Sequence, residues 1–511
     1  MSEFVAPSVR QLLDDGAKRF GTTPFIKYLD GDKIIEKSYI QVRTDSLAVC
    51  RRLRSFSRDK KHIALIAKTD YNYITFLTGV LISGNVALPF APDVAPKEAA
   101  SLLERADVDV VLYGDNYREN IDELKSLCPK VELFENIDEA AETIYSAYGN
   151  HSEYADLSEF DSDVNELAAI IYTSGTTGVK KGVMLSMAAL TGNIMYKDFM
   201  TDVFRENDVA LSVLPMHHVF CFTGDYLKNL KDGLQVCLCP DTRNLEKCLQ
   251  VFEPRVMRCV PVMADFLLRR IKMTELRNPD LSPRQCAQKV LGRYLKYLIS
   301  GGAYLDPSLI EGFDEYGIFL RQGYGMTEAG CRISVPDNAA ARSSVGRLID
   351  VCEGRIQNGE IQIKSPTVMM GYYKMPQETD EMFTPDGWLK TGDIGVLTDD
   401  RQLFITGRVK NLIILSNGEN VSPEAIEKKF DSCPLVKDVM VYGEDDTIVA
   451  EFFPDYNSEI SDGDIRRTLE QLVTEMNATA KASHIISSIK IRTTPFERTA
   501  SGKLKRKGNK V

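Results

Sequence analysis

Tyr172-Thr173-Ser174-Gly175-Thr176-Thr177-Gly178-Val179-Lys180-Lys181-Gly182-Val183 is the segment from which the architecture of this chain is most readily inferred. It follows an apolar run, residues 167–172, whose composition and length predict a buried parallel strand. Glycines let backbone N–H groups approach an anion closely, while hydroxyl groups and lysines add donors and positive charge. A strand that leads into such a loop predicts a phosphate-binding site. The alternative is a flexible surface turn, since Ser, Thr and Gly also cluster between elements.

The loop lacks the Gly-x4-Gly-Lys-Ser/Thr pattern of nucleoside triphosphatases. It resembles the YTSGTTGxPKG signature of the adenylate-forming superfamily, which includes acyl-CoA synthetases, adenylation domains of peptide synthetases and beetle luciferases. Lys180 stands where that family usually has proline, so the sequence leaves open which of Lys180 and Lys181 contacts phosphate. The resemblance implies that ATP is bound by Thr173, Ser174, Gly175, Thr176, Thr177, Gly178 and Lys181.

Length and composition are compatible with a multidomain enzyme. The 511 residues are 44% hydrophobic, which is enough for several cores. The net charge of −11 argues against nucleic acid as a partner, because binding to backbone phosphates needs a concentrated positive surface. The eleven scattered cysteines show no zinc-binding spacing, which predicts buried thiols in a reducing cytoplasm. The charged N-terminal segment lacks the apolar core of a signal peptide.

The first 160 residues predict alternating strands and helices. Residues 25–30 and 34–38 predict a hairpin, and residues 41–56 predict an amphipathic helix. From residue 61 to 113, strands and helices alternate in the order that predicts a parallel, doubly wound sheet. The uncharged run 71–92 is long enough to span a bilayer, but glycines and prolines break it into a helix, a turn and a strand. We therefore expect no transmembrane segment.

A second motif, residues 214–220, contains the adjacent His217 and His218. Adjacent side chains point in different directions and no third ligand is near in the sequence, which argues against a metal site. By resemblance to the family, His218 stands at the mouth of the carboxylate pocket, where amino-acid-activating relatives carry an aspartate. A neutral imidazole there favours an acid without an α-amine. The alternative is a histidine of the core.

Two further glycine turns end predicted strands, at residues 300–303 and 322–328. Turns at the carboxyl ends of parallel strands are where ligands bind in open α/β sheets. In the second turn an aromatic ring can stack on adenine, a hydroxyl can hold the α-phosphate and a carboxylate can hold Mg²⁺. The family motif gives these roles to Tyr324, Thr327 and Glu328. It also places in the nucleotide site Gly302, Ala303, Gly323, Gly325 and Met326.

The last third of the chain continues the resemblance. Asp393 would accept the ribose hydroxyl groups and Arg408 would hold the sugar side of the nucleotide; the alternative, a structural salt bridge between them, is compatible with these roles. Gly418 belongs to the hinge motif, and Lys503 matches the catalytic lysine of the terminal motif. The resemblance divides the chain into an AMP- and acyl-binding domain, residues 1–408, and a mobile domain, residues 409–511.

The implied fold is α/β: a large N-terminal domain of two doubly wound βαβ subdomains plus a small β-barrel, followed by a smaller α+β domain. The implied activity is ATP- and Mg²⁺-dependent activation of a carboxylate through an acyl-adenylate, followed by transfer to CoA. Residues 291–307 and 415–423 resemble the fatty acyl-CoA synthetase branch, which favours medium- or long-chain fatty acids. Ile414, where luciferases carry a lysine, disfavours light emission.

Two other functions share these motifs. One is a stand-alone enzyme that loads an acyl or aryl acid onto a carrier protein. The other is an inactive nucleotide-binding homologue, which is disfavoured because Glu328 and Lys503, needed only for catalysis, are both present. In the active enzymes the small domain would rotate about Lys410 between the two half-reactions.

Overall fold

The computed structural model describes residues 6–57, 59–148, 163–173, 179–196, 203–337, 341–415, 420–430, 433–444, 447–456, 462–481, 484–497, 504 and 506. The chain divides into two compact units: residues 1–353 with 364–389, and residues 354–363 with 390–511. The domain boundary after residue 408 stays a prediction.

The strands are β1 (Pro24–Asp30), β2 (Lys33–Ser38), β3 (His62–Ile66), β4 (Val86–Phe90), β5 (Val110–Tyr113), β6 (Leu133–Asn136), β7 (Leu167–Thr173), β8 (Lys181–Ser186), β9 (Val209–Ser212), β10 (Gln235–Leu238), β11 (Val256–Cys259), β12 (Tyr297–Ser300), β13 (Phe319–Gln322), β14 (Tyr324–Met326), β15 (Cys331–Val335), β16 (Arg347–Leu348), β17 (Glu353–Gln357), β18 (Glu360–Lys364), β19 (Gly371–Tyr372), β20 (Leu389–Leu397), β21 (Leu403–Arg408), β22 (Ile413–Ile414), β23 (Asn420–Val421), β24 (Val436–Glu444), β25 (Thr447–Pro454) and β26 (Ile486–Ile491).

The helices are α1 (Val9–Phe20), α2 (Tyr39–Phe56), α3 (Tyr71–Ile82), α4 (Pro96–Arg105), α5 (Ile121–Leu127), α6 (Ile137–Tyr148), α7 (Met187–Gly192), α8 (Val219–Cys221), α9 (Lys228–Asp232), α10 (Leu245–Phe252), α11 (Pro261–Arg277), α12 (Pro283–Leu291), α13 (Pro307–Asp314), α14 (Pro376–Met382), α15 (Pro423–Glu427) and α16 (Asp462–Ala478). A π-helical segment, Phe222–Leu227, joins α8 to α9. Short 3₁₀ turns cover Asp115–Asn120, Thr242–Asn244, Thr327–Ala329, Val409–Asn411 and Lys428–Phe430.

The first unit is built on two seven-stranded sheets. Sheet A has the order β13-β12-β11-β9-β10-β1-β2, parallel except for the edge strand β2. Sheet B has the order β19-β8-β7-β4-β3-β5-β6, in which β7 to β6 are parallel and β8 and β19 are antiparallel. The buried strand predicted before the phosphate loop is β7, which is parallel to β4 on one side. It is antiparallel to β8 on the other.

The helices begin where the sequence places capping side chains. The Ser38 hydroxyl accepts a hydrogen bond from the backbone N–H of Gln41 at the start of α2, and the Asp70 carboxylate accepts one from Tyr73 at the start of α3. Each satisfies a donor that a helix end leaves without an intrahelical partner. The uncharged run 71–92 is thus a helix, a turn and the strand β4, as predicted. None of the helices in the described ranges combines the length and the apolar composition that a bilayer-spanning helix needs.

Apolar side chains between the sheets and their helices form separate cores. One core packs sheet A against α10 to α13, around Leu249, Leu267 and Phe313. Another packs sheet B against α4 and α5, around Leu88 and Leu102. Ten of the eleven cysteines are buried free thiols and Cys433 is partly buried, which confirms the predicted burial of the thiols.

Smaller sheets complete the chain. Strands β14, β15 and β16 form a three-stranded sheet in the first unit, and β17, β18, β20 and β21 form a four-stranded sheet almost entirely within the second unit. In the second unit β24, β25 and β26 pack with α15 and α16 around Phe430 and Phe452. The predicted α/β class, with a large N-terminal part and a smaller C-terminal part, is confirmed. The predicted small β-barrel corresponds to these small sheets, and β19 joins the edge of sheet B.

Candidate active site

The ends of the predicted phosphate loop are fixed by the hairpin of β7 and β8. Thr173 pairs with Lys181 as the last register position before the loop. This pairing brings a hydroxyl group and an ammonium group to the same end of sheet B. Ser174, Gly175, Thr176, Thr177 and Gly178 lie outside the described residues, so their phosphate contacts stay predictions.

The two lysines of the loop have different surroundings. Lys180 Nζ lies 2.6 Å from Glu98 Oε1, in an ion pair at the surface. Lys181 Nζ lies 4.8 Å from the centroid of the Tyr372 ring, a distance at which a cation is attracted to an aromatic face. Lys180 already has a carboxylate partner, whereas Lys181 is held near a neutral ring. These contacts favour Lys181 as the lysine that meets phosphate.

Tyr372 connects the loop to the second glycine turn, residues 322–328. Its hydroxyl group donates a hydrogen bond of 2.8 Å to Glu328 Oε1. Burial, followed by the nearby Glu328 carboxylate, raises the pKa of Tyr372 above its usual value, so the phenol keeps its proton and remains a donor. Lys181, Tyr372 and Glu328 thus form a continuous row at one end of sheet B.

The turn that carries Glu328 is held rigidly from three sides. The backbone N–H of Met369 donates to the Glu328 carbonyl oxygen at 2.8 Å, and the Thr367 hydroxyl donates to the Ala329 carbonyl oxygen at 3.2 Å. The Asn193 amide donates to the carbonyl oxygens of Ala329 and Arg332. Thr327, the predicted α-phosphate ligand, opens the same 3₁₀ turn. The orientation of this turn is therefore set by hydrogen bonds to its backbone carbonyl groups, which suits a preorganised site.

Gly325 shows why the second glycine turn, residues 322–328, needs glycine at its centre. A Cβ atom at Gly325 would lie 1.7 Å from the backbone carbonyl oxygen of Cys331 on the paired strand β15. That separation is far below any real contact, so no side chain fits there. Tyr324 and Met326, the flanking residues of β14, are half-buried, and Gly325 itself is exposed.

The two glycine turns lie side by side at the carboxyl edge of sheet A. Ser300 and Gln322 are register partners at the ends of β12 and β13, and the Gly323 N–H donates to the Ser300 carbonyl oxygen at 2.9 Å. The Gln322 amide nitrogen donates to the Ala303 carbonyl oxygen, also at 2.9 Å. Gly302, Ala303, Gly323 and Tyr324 are therefore brought together, as the strand-end argument predicts.

The histidine motif lies against the first of these turns. A Cβ atom at Gly301 would lie 2.9 Å from Phe220 Cζ, so the ring two residues after His218 packs directly on the turn. The rings of His217 and His218 are 4.3 Å apart. Burial, then His218, then Lys180 lower the pKa of His217 to about 3. Although His218 is exposed at the surface, partial desolvation also lowers its pKa, so both imidazoles are neutral near pH 7.

Metal chemistry at this site would depend on Glu328. Mg²⁺ in nucleotide enzymes is held by one or two carboxylates together with substrate phosphates. Glu328 Oε1 accepts the Tyr372 hydroxyl, and the carboxylate has a second oxygen for a cation, so the residue fits that role. Among the described residues no cluster of three His, Cys, Asp or Glu side chains could hold a metal without a substrate.

In the second unit, Asp393 and Arg408 are register partners of β20 and β21. Arg408 Nε lies 2.8 Å from Asp393 Oδ1, so the structural salt bridge proposed as an alternative is present. The Asp393 side chain is only 5% exposed and that of Arg408 45%, which leaves the guanidinium open to a ligand. Gly418 and Lys503 fall outside the described residues.

Three residues of this site escaped sequence reasoning: Tyr372, Asn193 and Phe220. Tyr372 belongs to a two-residue strand that pairs with β8 from almost two hundred residues away, a contact without any local pattern. Asn193 follows a short helix, and its side chain makes hydrogen bonds to backbone groups of Ala329 and Arg332, which are distant in the sequence. Phe220 could have been identified from the sequence, because it is the last residue of the histidine motif, residues 214–220.

Comparison with known proteins agrees with these motifs. A model of the AMP-binding enzyme family matches residues 13–373, and a model of the AMP-binding enzyme C-terminal domain matches residues 410–509. Long chain acyl-CoA synthetase 6, peroxisomal, of Arabidopsis thaliana is 30% identical over 331 residues, which cover 56% of this chain and 47% of that protein. The chain thus spans about half the length of that relative.

Two further proteins extend the comparison to most of the chain. Long-chain-fatty-acid--CoA ligase FadD13 of Mycobacterium tuberculosis is 28% identical over 460 residues, 86% of each protein. The crystal structure of the anthranilate CoA ligase AuaEII in complex with anthranoyl-AMP has a TM-score of 0.79 at 18% identity, covering 98% of this chain and 96% of that chain, which shows a shared fold. Because the family model matches more than half of the sequence, this chain belongs to the AMP-binding enzymes, the adenylate-forming superfamily that includes fatty acyl-CoA synthetases.

Proposed function

We propose that this chain is an ATP-dependent acid–CoA ligase whose acid is a medium- or long-chain fatty acid. In the first half-reaction the carboxylate oxygen attacks the α-phosphorus of ATP, and pyrophosphate leaves. In the second, the CoA thiol loses its proton and attacks the acyl carbonyl carbon, and AMP leaves with the electron pair of the mixed anhydride bond. Both halves use one acyl-adenylate intermediate.

The observation that carries this proposal is the row of Lys181, Tyr372 and Glu328. Negative charge builds on phosphate oxygens in the first half-reaction, so a fixed cation beside the leaving pyrophosphate lowers the barrier. Lys181 lies at the mouth of the loop and would supply that charge. When bound at Glu328, Mg²⁺ would neutralise charge on the phosphates. Tyr372 would keep the carboxylate oriented by its hydrogen bond.

The remaining roles follow from the family. Asp393 and Arg408 would hold the ribose, Tyr324 would stack on adenine, and Lys503 would contact the α-phosphate and the carboxylate during adenylation. In the second half-reaction the loop with Gly418 would replace Lys503, after the C-terminal domain turns about Lys410.

The substrate class is supported by His218 and by the relatives. A neutral imidazole at the mouth of the carboxylate pocket offers no partner for an α-ammonium group, whose burial without a counter-charge is unfavourable. The curated relatives named above are long-chain acyl-CoA ligases, and the solved relative with the similar fold is named for an aryl acid. Aryl acids are therefore the principal competitors in a substrate test.

The test is a two-stage assay on the full chain. A panel of saturated fatty acids, aryl acids and amino acids is first compared for acid-dependent AMP release in the presence of CoA. The best acid is then assayed with CoA and, separately, with an acyl carrier protein as acceptor. We expect fatty acids to exceed aryl acids and amino acids, and acyl-CoA to equal AMP in amount. Turnover with the carrier protein and none with CoA would favour the carrier-loading function, and an amino acid as the best substrate would contradict the role given to His218.

A further inference from the structure

Two buried arginines meet beside the π-helical segment Phe222–Leu227. Arg258 comes from β11 and Arg332 from β15, and the two residues are only 8% and 7% exposed. Gly224 lies within the π-helical segment, and a Cβ atom there would lie 2.6 Å from Arg332 Nη2 and 3.2 Å from Arg258 Nε. The two guanidinium groups are therefore neighbours, and the missing side chain of Gly224 leaves the space in which they meet.

The ion pair of Arg258 uses only part of its guanidinium group. Arg258 Nη1 donates a hydrogen bond of 2.9 Å to Asp225 Oδ1, and the Ser212 hydroxyl donates one of 3.2 Å to Asp225 Oδ2. The Nε of Arg258 lies on the side of Gly224 and Arg332. Because a guanidinium carries five N–H donors, one contact with a carboxylate leaves donors for a second acceptor.

Arg332 is held in place through its backbone. The Asn193 side chain accepts a hydrogen bond from the Arg332 N–H and donates one to the Arg332 carbonyl oxygen, both of 3.0 Å. The guanidinium carbon lies 5.8 Å from the centroid of the Tyr196 ring. A rigidly placed guanidinium beside another one creates repulsion between like charges, which an anion between them relieves. Planar guanidinium groups match the two oxygens of a carboxylate.

The arginine pair lies close to two parts of the proposed acid site. His218, at the proposed mouth of the carboxylate pocket, is the N-cap of α8, which continues directly into the π-helical segment. Gly224 follows His218 by six residues. That separation corresponds to about 9 Å along a helix axis. On the nucleotide side, Arg332 is the register partner of Gly325. The pair is therefore within reach of the far end of an acid chain of medium length.

We infer that Arg258 and Arg332 bind a second carboxylate at the far end of the acid, so that the preferred substrate is an aliphatic dicarboxylic acid of medium chain length. This inference rests on the proposed function and narrows the class of acid within it. The first carboxylate reacts with ATP as before, and the second is not changed in the reaction. It serves only to hold the chain.

Two other interpretations fit the arginine pair less well. A purely structural ion pair needs one cation for the Asp225 carboxylate, and the second guanidinium beside Arg258 adds repulsion to it. The methyl end of an unsubstituted fatty acid would lie against two guanidinium groups to which it offers no hydrogen bond, and burying such donors without an acceptor is unfavourable. A π-helical segment at this point also agrees with a binding role, because such segments are frequent at functional sites.

The first test compares three acids of equal chain length on the full chain: the dicarboxylic acid, its monomethyl ester and the monocarboxylic acid. The ester keeps the length of the dicarboxylic acid and removes only the distal charge. We expect kcat/KM for acid-dependent AMP release to be about tenfold or more higher for the dicarboxylic acid than for its ester, because a hydrogen bond to a charged group is lost in the ester. Equal values, or a higher value for either singly charged acid, would overturn the inference.

Variants locate the second carboxylate. Arg332→Met and the double substitution D225N/R258Q should each lower the ratio of kcat/KM for the dicarboxylic acid to that for the ester toward one. The double substitution replaces the buried ion pair by a neutral pair, so it leaves no uncompensated buried charge. Arg255→Met is the matched control and should keep the ratio of the wild type. Arg255 Nε lies 3.2 Å from Asp208 Oδ2, and both residues precede the amino ends of their strands, at the opposite edge of sheet A.

Thermal unfolding verifies that each variant is folded. An unchanged ratio in both folded variants would reject the assignment, as would an equal loss for the two acids, which indicates a structural role. Calorimetric binding of the dicarboxylic acid and of its ester, with a non-hydrolysable ATP analogue present, does not require turnover. Selective binding of the dicarboxylic acid without AMP release from any acid would therefore contradict the proposed function and still support the arginine site.

Discussion

At the residue scale, the hydrogen bond from Tyr372 to Glu328 is the contact on which the proposed nucleotide chemistry most depends. The chain offers a close control, because the next residue, Tyr373, donates an equally short hydrogen bond of 2.8 Å to Asp107 at the surface. Both phenols keep their protons, since burial and the neighbouring carboxylate raise the pKa of each, that of Tyr373 to about 12. Of these two tyrosines, only Tyr372 lies in the row with Lys181 and Glu328.

Tyr372→Phe should therefore lower kcat/KM for ATP in the adenylation half-reaction by about tenfold or more, because a hydrogen bond to a charged group contributes about 1.5–3 kcal/mol. The ring beneath Lys181 is retained, so the loss isolates the hydroxyl group. Tyr373→Phe should leave the same constant unchanged. Steady-state pyrophosphate exchange at varied ATP concentration measures kcat/KM for both variants. Equal losses in the two variants, or none in Tyr372→Phe, would show that the contact with Glu328 is only structural.

His217 predicts a pH dependence of stability. Its pKa is about 3 in the folded chain, whereas an unfolded histidine titrates near 6.5. Between these values the unfolded state binds a proton that the folded state excludes, so the free energy of unfolding decreases as pH falls below about 6.5 and is insensitive to this group above it. The decrease approaches about 1.4 kcal/mol per pH unit for one group.

Urea unfolding of the wild type and of His217→Asn at pH 7.5 and pH 5 measures this difference. The wild type should lose more stability than the variant between the two conditions. Comparing the two proteins removes the contribution of groups common to both, such as Asp70, whose pKa burial raises to about 6. Parallel losses in the two proteins would contradict the burial of a neutral imidazole at His217.

At the scale of elements, the strand pair β14 and β15 shapes the nucleotide motif. Gly325→Ala places a methyl group 1.7 Å from a backbone oxygen, which cannot move without separating the two strands. We expect a loss of about 3 kcal/mol or more in stability, and loss of pyrophosphate exchange. Gly463→Ala is the control, because Gly463 lies in α16 with no atom within 4 Å of its Cβ position, and its melting temperature should be unchanged or slightly raised. A stable, active Gly325→Ala would refute the steric account of the motif.

Elements that depend on local patterns were predictable. The hairpin of β1 and β2 and the helix α2 lie within two residues of their predicted bounds, and strands and helices alternate between residues 61 and 113 as predicted. Alternation, apolar runs and capping side chains act over a few residues, so a local sequence pattern is enough to predict them. Long-range pairing was not predictable. The β1–β2 hairpin belongs to sheet A through β10, about two hundred residues later, and no local feature of Ile26 or Val236 specifies that partnership.

The candidate active site likewise combines features that a local sequence pattern predicts with features that depend on long-range pairing. The paired glycine turns were predictable because tight turns restrict which residues can occupy them, and Gly325 and Glu328 were identified from the family motif that the second turn resembles. Tyr372 was not, because its function arises only when β19 pairs with β8. The orientation of Lys181 toward the Tyr372 ring, and of Lys180 toward Glu98, likewise depends on contacts between distant segments. Sequence reasoning therefore left the choice between the lysines open.

At the scale of the whole molecule, the proposed mechanism needs the C-terminal domain to take two positions. Lys410 lies in the 3₁₀ turn Val409–Asn411, between β21 and β22, and its role as the hinge is a prediction from the family. Proline fixes φ near −65° and removes the N–H, so Lys410→Pro should hold the chain in one state. If that state is the adenylating one, pyrophosphate exchange continues while thioester formation falls by orders of magnitude. Proportional losses in both half-reactions, or no loss in either, would reject the hinge.

The proposed function requires the chain to form an acyl-adenylate, which is tested by the exchange of labelled pyrophosphate into ATP with and without a carboxylic acid. Exchange requires reversible formation of the adenylate and is independent of the acceptor. We expect exchange that depends on added acid, with a saturated medium- or long-chain fatty acid more effective than any amino acid. A folded protein that binds ATP but exchanges no pyrophosphate with any acid of the panel would contradict it.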